Sequence, residues 1–218
     1  MRSKFEEQLR LLDELLTHMG EQCEIAIAKA TRALKEGSLE QAQAIIEADE
    51  EIDQMEKDVE RLCLKLLLQQ QPVAKDLRRI SAALKMITDM ERIGDQTADI
   101  AEIIISSKHN TAIDIKQIGT MAAAVSKMVR DSVHAYVSND LELAKHVIEA
   151  DDAVDQLFDT IRDELVEYIR VEKGEHGKRI FDLIMVTKYL ERIGDHATNI
   201  SEWVEFSITG VHKDGIKL

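Results

Sequence analysis

Two stretches of this chain occur twice. Glu91-Arg-Ile-Gly-Asp95 returns as Glu191-Arg-Ile-Gly-Asp195, an offset of 100 residues. Ile46-Glu-Ala-Asp49-Glu-Glu-Ile-Asp53-Gln returns as Ile148-Glu-Ala-Asp151-Asp-Ala-Val-Asp155-Gln, an offset of 102. Two independent matches at nearly one offset identify a tandem duplication, with the two-residue difference absorbed in a turn between elements. The fold is therefore expected to be one unit built twice, over residues 1–109 and 110–218 of the 218-residue chain.

What the unit is made of follows from periodicity and punctuation. With 9 Gly, 1 Pro and 4% aromatic residues, the chain lacks the turn residues and the aromatic, β-branched runs that a β fold needs. Apolar residues instead recur at spacings of three and four throughout, which is helical. Six helices are expected. The first runs from about Phe5 to Lys35 and ends at Gly37, and Ser38 with Gln41 forms a capping box for the second. That helix carries Ile45, Ile52, Val59, Leu62 and Leu66 and ends at the glutamine run around Gln71. Pro72 is placed in the first turn of the third helix, which stops around His109 and Asn110. The fourth spans about Ile113 to Tyr136, and Ser138 to Asp140 start a fifth that reaches Val171. Lys173, Gly174 and Gly177 mark the turn before a sixth, which runs to about Ile208. The expected class is all-α: two three-helix bundles side by side, related by a pseudo-twofold axis.

The repeated motifs are pairs of carboxylates. Residues four apart share a helix face, so Asp49 and Asp53 stack on the second helix, and Glu91 and Asp95 on the third. Like charges at that spacing repel by a few tenths of a kcal/mol when exposed. Folding the second and third helices back on each other about residue 71 brings Asp49 and Asp53 opposite positions 93 and 89, which bracket Glu91. The same operation about residues 173–174 brings Asp151 and Asp155 opposite about 196 and 192, flanking Glu191 and Asp195. Each hairpin is thus expected to gather four carboxylates at one level.

Glu91 also falls within the apolar stripe Ile80, Leu84, Ile87, Gly94, Ala98, and a carboxylate withdrawn from water requires a positive partner. On an ideal helix Arg92 and Arg192 point about 100° away from the preceding glutamate, which directs them to exposed acids instead. Gly94 and Gly194 stand mid-helix, where Gly costs roughly 0.5–1 kcal/mol against Ala. Repetition of that cost points to a need for space beside the carboxylates, for a ligand or for a packed backbone. Oxygen-only donor sets select hard or borderline cations: Mg, Mn, Ca or Fe, with Zn if an imidazole joins. His196, beside Asp195 where the first repeat has Gln96, is either that imidazole or a helix-surface residue. Asp99 extends the first set by a turn, whereas its counterpart Asn199 leaves the second with one charge fewer.

A net charge of −14 argues against nucleic-acid binding, because phosphate contacts need clustered cations. Cys23 and Cys63 are isolated thiols without CxxC spacing, as in a reducing compartment. The N-terminal stretch is amphipathic and acidic, unlike a signal peptide, and no apolar run approaches the ~18–20 residues of a membrane span. A cytoplasmic location is expected, with no insertion into a membrane.

Paired D/ExxxD motifs in tandem three-helix units, over essentially the whole chain, resemble the PhoU family of bacterial phosphate-uptake regulators. The resemblance implies a cytoplasmic regulator with no catalysis of its own. It would restrain phosphate-starvation signalling through contacts with a sensor histidine kinase and with the ATPase subunit of a phosphate ABC transporter. It further implies metal binding, of iron or zinc in some relatives, at Asp49, Asp53, Glu91, Asp95 and Asp99, and at Asp151, Asp155, Glu191 and Asp195. Spare apolar surface would support a homodimer. Two other readings compete. One is a helical scaffold, or an accessory protein of another phosphate transporter, whose acidic patches are solvated surface. The other is a ferritin-like carboxylate metal enzyme, which needs paired Glu-x-x-His motifs. The nearest match here is Asp131-Ser-Val-His134, outside the repeats, and no phosphate-binding loop or nucleophile elbow occurs.

Overall fold

The computed structural model describes residues 2–69, 72–107, 116–171, 176–213 and 215. They form six α-helices: α1 (Arg2–Glu36), α2 (Leu39–Gln69), α3 (Ala74–Ser106), α4 (Lys116–Ser138), α5 (Leu141–Val171) and α6 (Gly177–Thr209). The expected helix limits at His109, Asn110 and Ile113, the boundary at 109/110, and the turn centres at Gln71 and at Lys173 and Gly174 lie outside the described residues.

Local chemistry sets the observed ends. After α1, Gly37 adopts φ 66°, a conformation glycine takes without a Cβ penalty, and the Ser38 amide donates to Ala33 O at 3.2 Å. Ser38 Oγ then accepts the Gln41 amide at 3.2 Å and so caps α2. The Gln41 side chain does not complete a capping box: its amide turns to Glu36 Oε2 at 2.7 Å, because a charged acceptor lies within reach. Asp140 caps α5 by accepting the Leu143 amide at 3.0 Å. Pro72 precedes α3 by two residues and does not sit in its first turn; Val73, with extended backbone, is the N-cap. Proline biases its own φ but cannot extend the helix backward past a β-region neighbour.

Each repeat closes as a three-helix bundle, α1 with α2 and α3, and α4 with α5 and α6. The bundles join through α3 against α6 and α1 against α4, so α2 and α5 lie on the two outer flanks. On α1, Leu12, Leu16, Met19, Cys23 and Ile27 are buried at steps of three and four. Each such side chain stabilises the fold by roughly 1.5–3 kcal/mol through area removed from water. Gly20 lets α1 approach α4: a Cβ there would stand 3.1 Å from Val133 Cγ2. Burial pushes both thiols, Cys23 and Cys63, up to about 12, which makes them packing groups and not nucleophiles. Among the described residues no helix is long and apolar enough to cross a membrane.

α3 and α6 run antiparallel, as their polar contacts record. Asp89 meets His196 and Asn199, while Asp99 neighbours Tyr189. The α2–α3 and α5–α6 hairpin ends therefore lie at opposite ends of the molecule.

Candidate functional site

The hairpin register arises from packing. Ile52 of α2 fits against α3 at Gly94, where a Cβ would stand 3.2 Å from Ile52 Cδ1. Val154 of α5 does the same at Gly194, at 3.3 Å. Three residues before each apolar contact, on the same helix face, comes an aspartate. Asp49 is thereby laid over the Gly94 backbone, so closely that a Cβ on Gly94 would be 2.5 Å from Asp49 Oδ1. Asp151 lies over Gly194 with more room, at 3.3 Å.

Both aspartates are unpaired at one oxygen. Asp49 Oδ1 and Asp151 Oδ1 are each buried without a hydrogen-bond partner. Burial, reinforced by Asp95, Asp53, Glu91 and Asp99, pushes the Asp49 carboxyl up to about 6. Burial, with Asp195 and Asp155 adding to it and the Thr198 hydroxyl opposing, pushes Asp151 up to about 6. Glu91 is raised by burial and then by Asp95, and Asp195 by burial and then by Glu191. All of this is the signature of negative charge held without enough compensation.

Nearby cations compensate in part, differently in the two halves. Arg92 bends back onto its own motif, with Nη1 2.8 Å from Asp95 Oδ2 and Nε 3.4 Å from Glu91 Oε2. The helical angle alone directs it elsewhere; its long, flexible stem overcomes that angle. Arg192 instead lies over the Tyr189 ring, 5.9 Å from its centroid. In its place Lys188 pairs with Glu191 at 2.5 Å.

Asp99 stands between its hairpin, where it adds to the charge that raises Asp49, and the α3–α6 junction. Across that junction it neighbours Tyr189; burial and then Glu102 raise its carboxyl, while the Tyr189 hydroxyl lowers it. At the symmetry-related place Asn199 Nδ2 donates to Asp89 Oδ1 at 3.2 Å, and His196 Nδ1 lies 2.9 Å from the same oxygen. His196 is therefore neither an exposed surface residue, at 22% side-chain exposure, nor turned onto Asp195. The difference between Asp99 and Asn199 belongs to the contact between repeats, where a donor is needed opposite Asp89. Asp89 and Tyr189 occupy equivalent repeat positions without sharing identity or charge, so comparison of the repeats offered no signal for either.

The structure thus brings Asp49, Asp53, Glu91, Asp95 and, more weakly, Asp99 into one electrostatic neighbourhood, and Asp151, Asp155, Glu191 and Asp195 into another. Among the described residues no three Asp, Glu, His or Cys side chains converge into a metal's coordination sphere as they stand. The donor chemistry nonetheless fits a hard cation: only carboxylate oxygens, mutually repelling, with one buried oxygen per hairpin unpartnered and a glycine backbone beneath it.

Fold and site together define a class: a duplicated three-helix bundle with a carboxylate-lined hairpin in each copy. Comparison with known proteins specifies the family. The PhoU domain matches residues 16–104 and 118–204, and the chain belongs to that family. A phosphate-specific transport system accessory protein PhoU homolog of Clostridium acetobutylicum is 38% identical over 217 residues, covering 98% of each chain. The homolog of that name in Aquifex aeolicus is 38% identical over 87% of this chain and 86% of its own. The crystal structure of PhoU from Pseudomonas aeruginosa superposes with a TM-score of 0.88 at 32% identity, covering 95% of this chain and all of that one. The phosphate transport system regulatory protein PhoU from Streptococcus pneumoniae gives 0.87 at 25%, over 94% of this chain and 97% of its own.

Proposed function

We propose that this protein is a cytoplasmic, non-catalytic regulator of a phosphate transport system whose two acidic hairpins each hold a metal ion. It restrains uptake and phosphate-starvation signalling by contacting the ATPase subunit of a phosphate ABC transporter and a sensor histidine kinase, as a homodimer. Support for the transport role is the full-length similarity to proteins named as phosphate transport accessory or regulatory proteins. The observation that carries the metal role is the unpartnered Oδ1 of Asp49 and of Asp151, each buried over a mid-helix glycine.

Asp49, Asp53, Glu91 and Asp95 would hold one ion, and Asp151, Asp155, Glu191 and Asp195 the other. Asp99 is the least suited of the proposed ligands, since Tyr189 already engages it. The ion would supply the positive charge these carboxylates lack and would tie α2 to α3 and α5 to α6. Its chemistry admits Mn, Fe, Mg or Ca, with Zn less favoured because His196 is directed to Asp89.

Metal analysis of untagged protein purified without chelator tests the site: bound metal, or rebinding of Mn, Fe or Zn, is expected, and metal-free protein that rebinds none rejects it. Capture of the transporter ATPase and the kinase tests the regulatory role. Deletion of the gene is expected to raise phosphate-responsive expression under phosphate-replete conditions; unchanged expression and uptake would reject that role.

A further inference from the structure

The arginines of the two repeated motifs have parted. Arg92 closes on its own hairpin, with Nη1 2.8 Å from Asp95 Oδ2 and Nε 3.4 Å from Glu91 Oε2. Arg192 makes no direct ion pair among the described residues, and its guanidinium carbon lies 5.9 Å from the centroid of the Tyr189 ring. Its own motif does not account for this. Glu191 and Asp195 flank Arg192 at the spacing at which Glu91 and Asp95 flank Arg92. Lys188 pairs with Glu191 at 2.5 Å, but Asp195 is left to cations that act on it only through their charge, Lys188 and His196.

What differs is the far side of the α3–α6 junction. Asp99 and Glu102, about one helical turn apart on α3, form one cluster there with Tyr189 and Arg192 of α6. Burial and then Glu102 raise the Asp99 carboxyl, and the Tyr189 hydroxyl and the Arg192 charge lower it. Neither acid has a direct ion-pair partner among the described residues. In the antiparallel contact the equivalent positions on α6, those related to Arg92, are Asn199 and Glu202. Asn199 is neutral and donates to Asp89, and Glu202 is paired with Lys213 at 2.5 Å. Uncompensated negative charge across the junction therefore draws Arg192 and not Arg92.

We propose that Arg192 couples the two hairpins: Asp99 and Glu102 of the first repeat hold it at the junction, away from Glu191 and Asp195, and so keep the second hairpin open to a cation. Arg92 shows that an arginine at this place can reach both acids of its own motif. Asp99 belongs to both neighbourhoods, since its charge acts on Asp49 as well as facing Arg192. An ion among Asp49, Asp53, Glu91 and Asp95 would offset that charge and release Arg192 onto Glu191 and Asp195, where it competes with a second ion. Filling the first hairpin thus weakens the second, and by linkage the second weakens the first equally. Arg192 is a positioning residue in this scheme, and the coupling rests on the reading of the hairpins as cation sites.

Calorimetric titration of the full chain with Mn tests it, the first hairpin being silenced by Asp49→Asn. Adding Asp99→Asn with Glu102→Gln, both on the other repeat, is expected to weaken Mn binding at the second hairpin about threefold or more. Arg192→Met in that background is expected to restore it. Circular dichroism melts verify that each variant is folded. An unchanged second hairpin, or a loss that Arg192→Met leaves in place, would overturn the proposal. With both hairpins intact, filling the first should weaken the second about threefold relative to the Asp49→Asn chain, and Arg192→Met should abolish that difference. A difference that persists would be direct repulsion between two ions, and would also overturn it. Crystals of the metal-free Asp99→Asn, Glu102→Gln chain separate the arginine from the metal. Arg192 is expected on Glu191 or Asp195, and Arg192 still over Tyr189 would refute its release. Absence of Mn binding from every variant would overturn the cation reading, and the coupling with it, while leaving that movement of Arg192 standing.

Discussion

The two acidic hairpins carry the same carboxylates and the same glycine, yet they are not the same site. In the first, Asp49 Oδ1 is pressed against α3, and Arg92 reaches both Asp95 and Glu91. In the second, Asp151 has almost an ångström more room over Gly194, Lys188 pairs with Glu191 and acts on Asp195 only through its charge, and Arg192 has gone to Tyr189. Duplication has kept the charge problem, a buried oxygen without a partner, while its partial solutions have diverged. The kept part marks what the pair has in common, and the diverged part should set how tightly each copy holds a cation.

The steric difference is the strongest handle on that comparison. In Gly94→Ala the new Cβ would displace the Asp49 carboxylate, whereas Gly194→Ala asks for only a few tenths of an ångström. Titrations of Mn by calorimetry, with the other hairpin silenced by Asp151→Asn or Asp49→Asn, should show about a tenfold or greater loss for Gly94→Ala and about threefold or less for Gly194→Ala. Equal losses would erase the distinction. The helix itself should tolerate either change, since Ala is intrinsically the better helix former by up to about 1 kcal/mol.

A second handle is pH. Asp49 and Asp151 both move from 3.8 up to about 6 in the folded chain, so the native state holds protons that the unfolded chain has released. The stability this represents is complete below about pH 4 and is lost as pH rises through about 6. Metal-free protein should therefore melt lower at pH 7.5 than at pH 5, by on the order of 1 kcal/mol or less per aspartate after allowance for solvent screening. That corresponds to several degrees in a chain of this size. Asp49→Asn with Asp151→Asn should flatten the difference between the two pH values, and Mn should restore the wild type at pH 7.5. A melting temperature of the metal-free wild type that rises over this range relative to the double variant would contradict the assignment.

The smallest effects concern the junction between repeats. Asn199→Asp would set a carboxylate 3.2 Å from Asp89 Oδ1 where an amide donor now stands, and urea unfolding should register a loss of about 1–2 kcal/mol. Asp99→Asn keeps an acceptor for Tyr189 and relieves repulsion from Glu102, so a change within about 0.5 kcal/mol is expected. If instead Asp99→Asn weakened Mn binding in the first hairpin as strongly as Asp49→Asn, Asp99 would be a ligand after all.

Much of this arrangement was legible in the sequence because it is local or repeated. Six helices followed from periodicity. Reflection of α2 onto α3 put Asp49 opposite position 93, and packing places it over Gly94; for Asp151 the reflection reached 196 and packing chose Gly194. The glycines pointed correctly to a close approach. What escaped was whatever depends on contact between the halves. A single hairpin contains no information about α6, so Asp99 reads as an extension of the first acidic set and Asn199 as a charge missing from the second, and neither as a contact between the halves. His196 was misread for the same reason, its partner Asp89 being 107 residues away. Arg92 escaped because an ideal helical angle describes where a side chain leaves the backbone, not where a long one ends. Gln41 followed a charge on the preceding helix that the capping pattern does not include.

The central claim is that each hairpin carries a carboxylate oxygen whose missing partner is a cation. Anomalous diffraction from crystals of untagged protein grown with Mn addresses it most directly. The expected result is one peak or more between α2 and α3 beside Asp49 and Asp95, and another between α5 and α6 beside Asp151 and Asp195, the first abolished by Asp49→Asn. Well-ordered hairpins without anomalous density, or Mn bound only at other acidic surfaces, would contradict it.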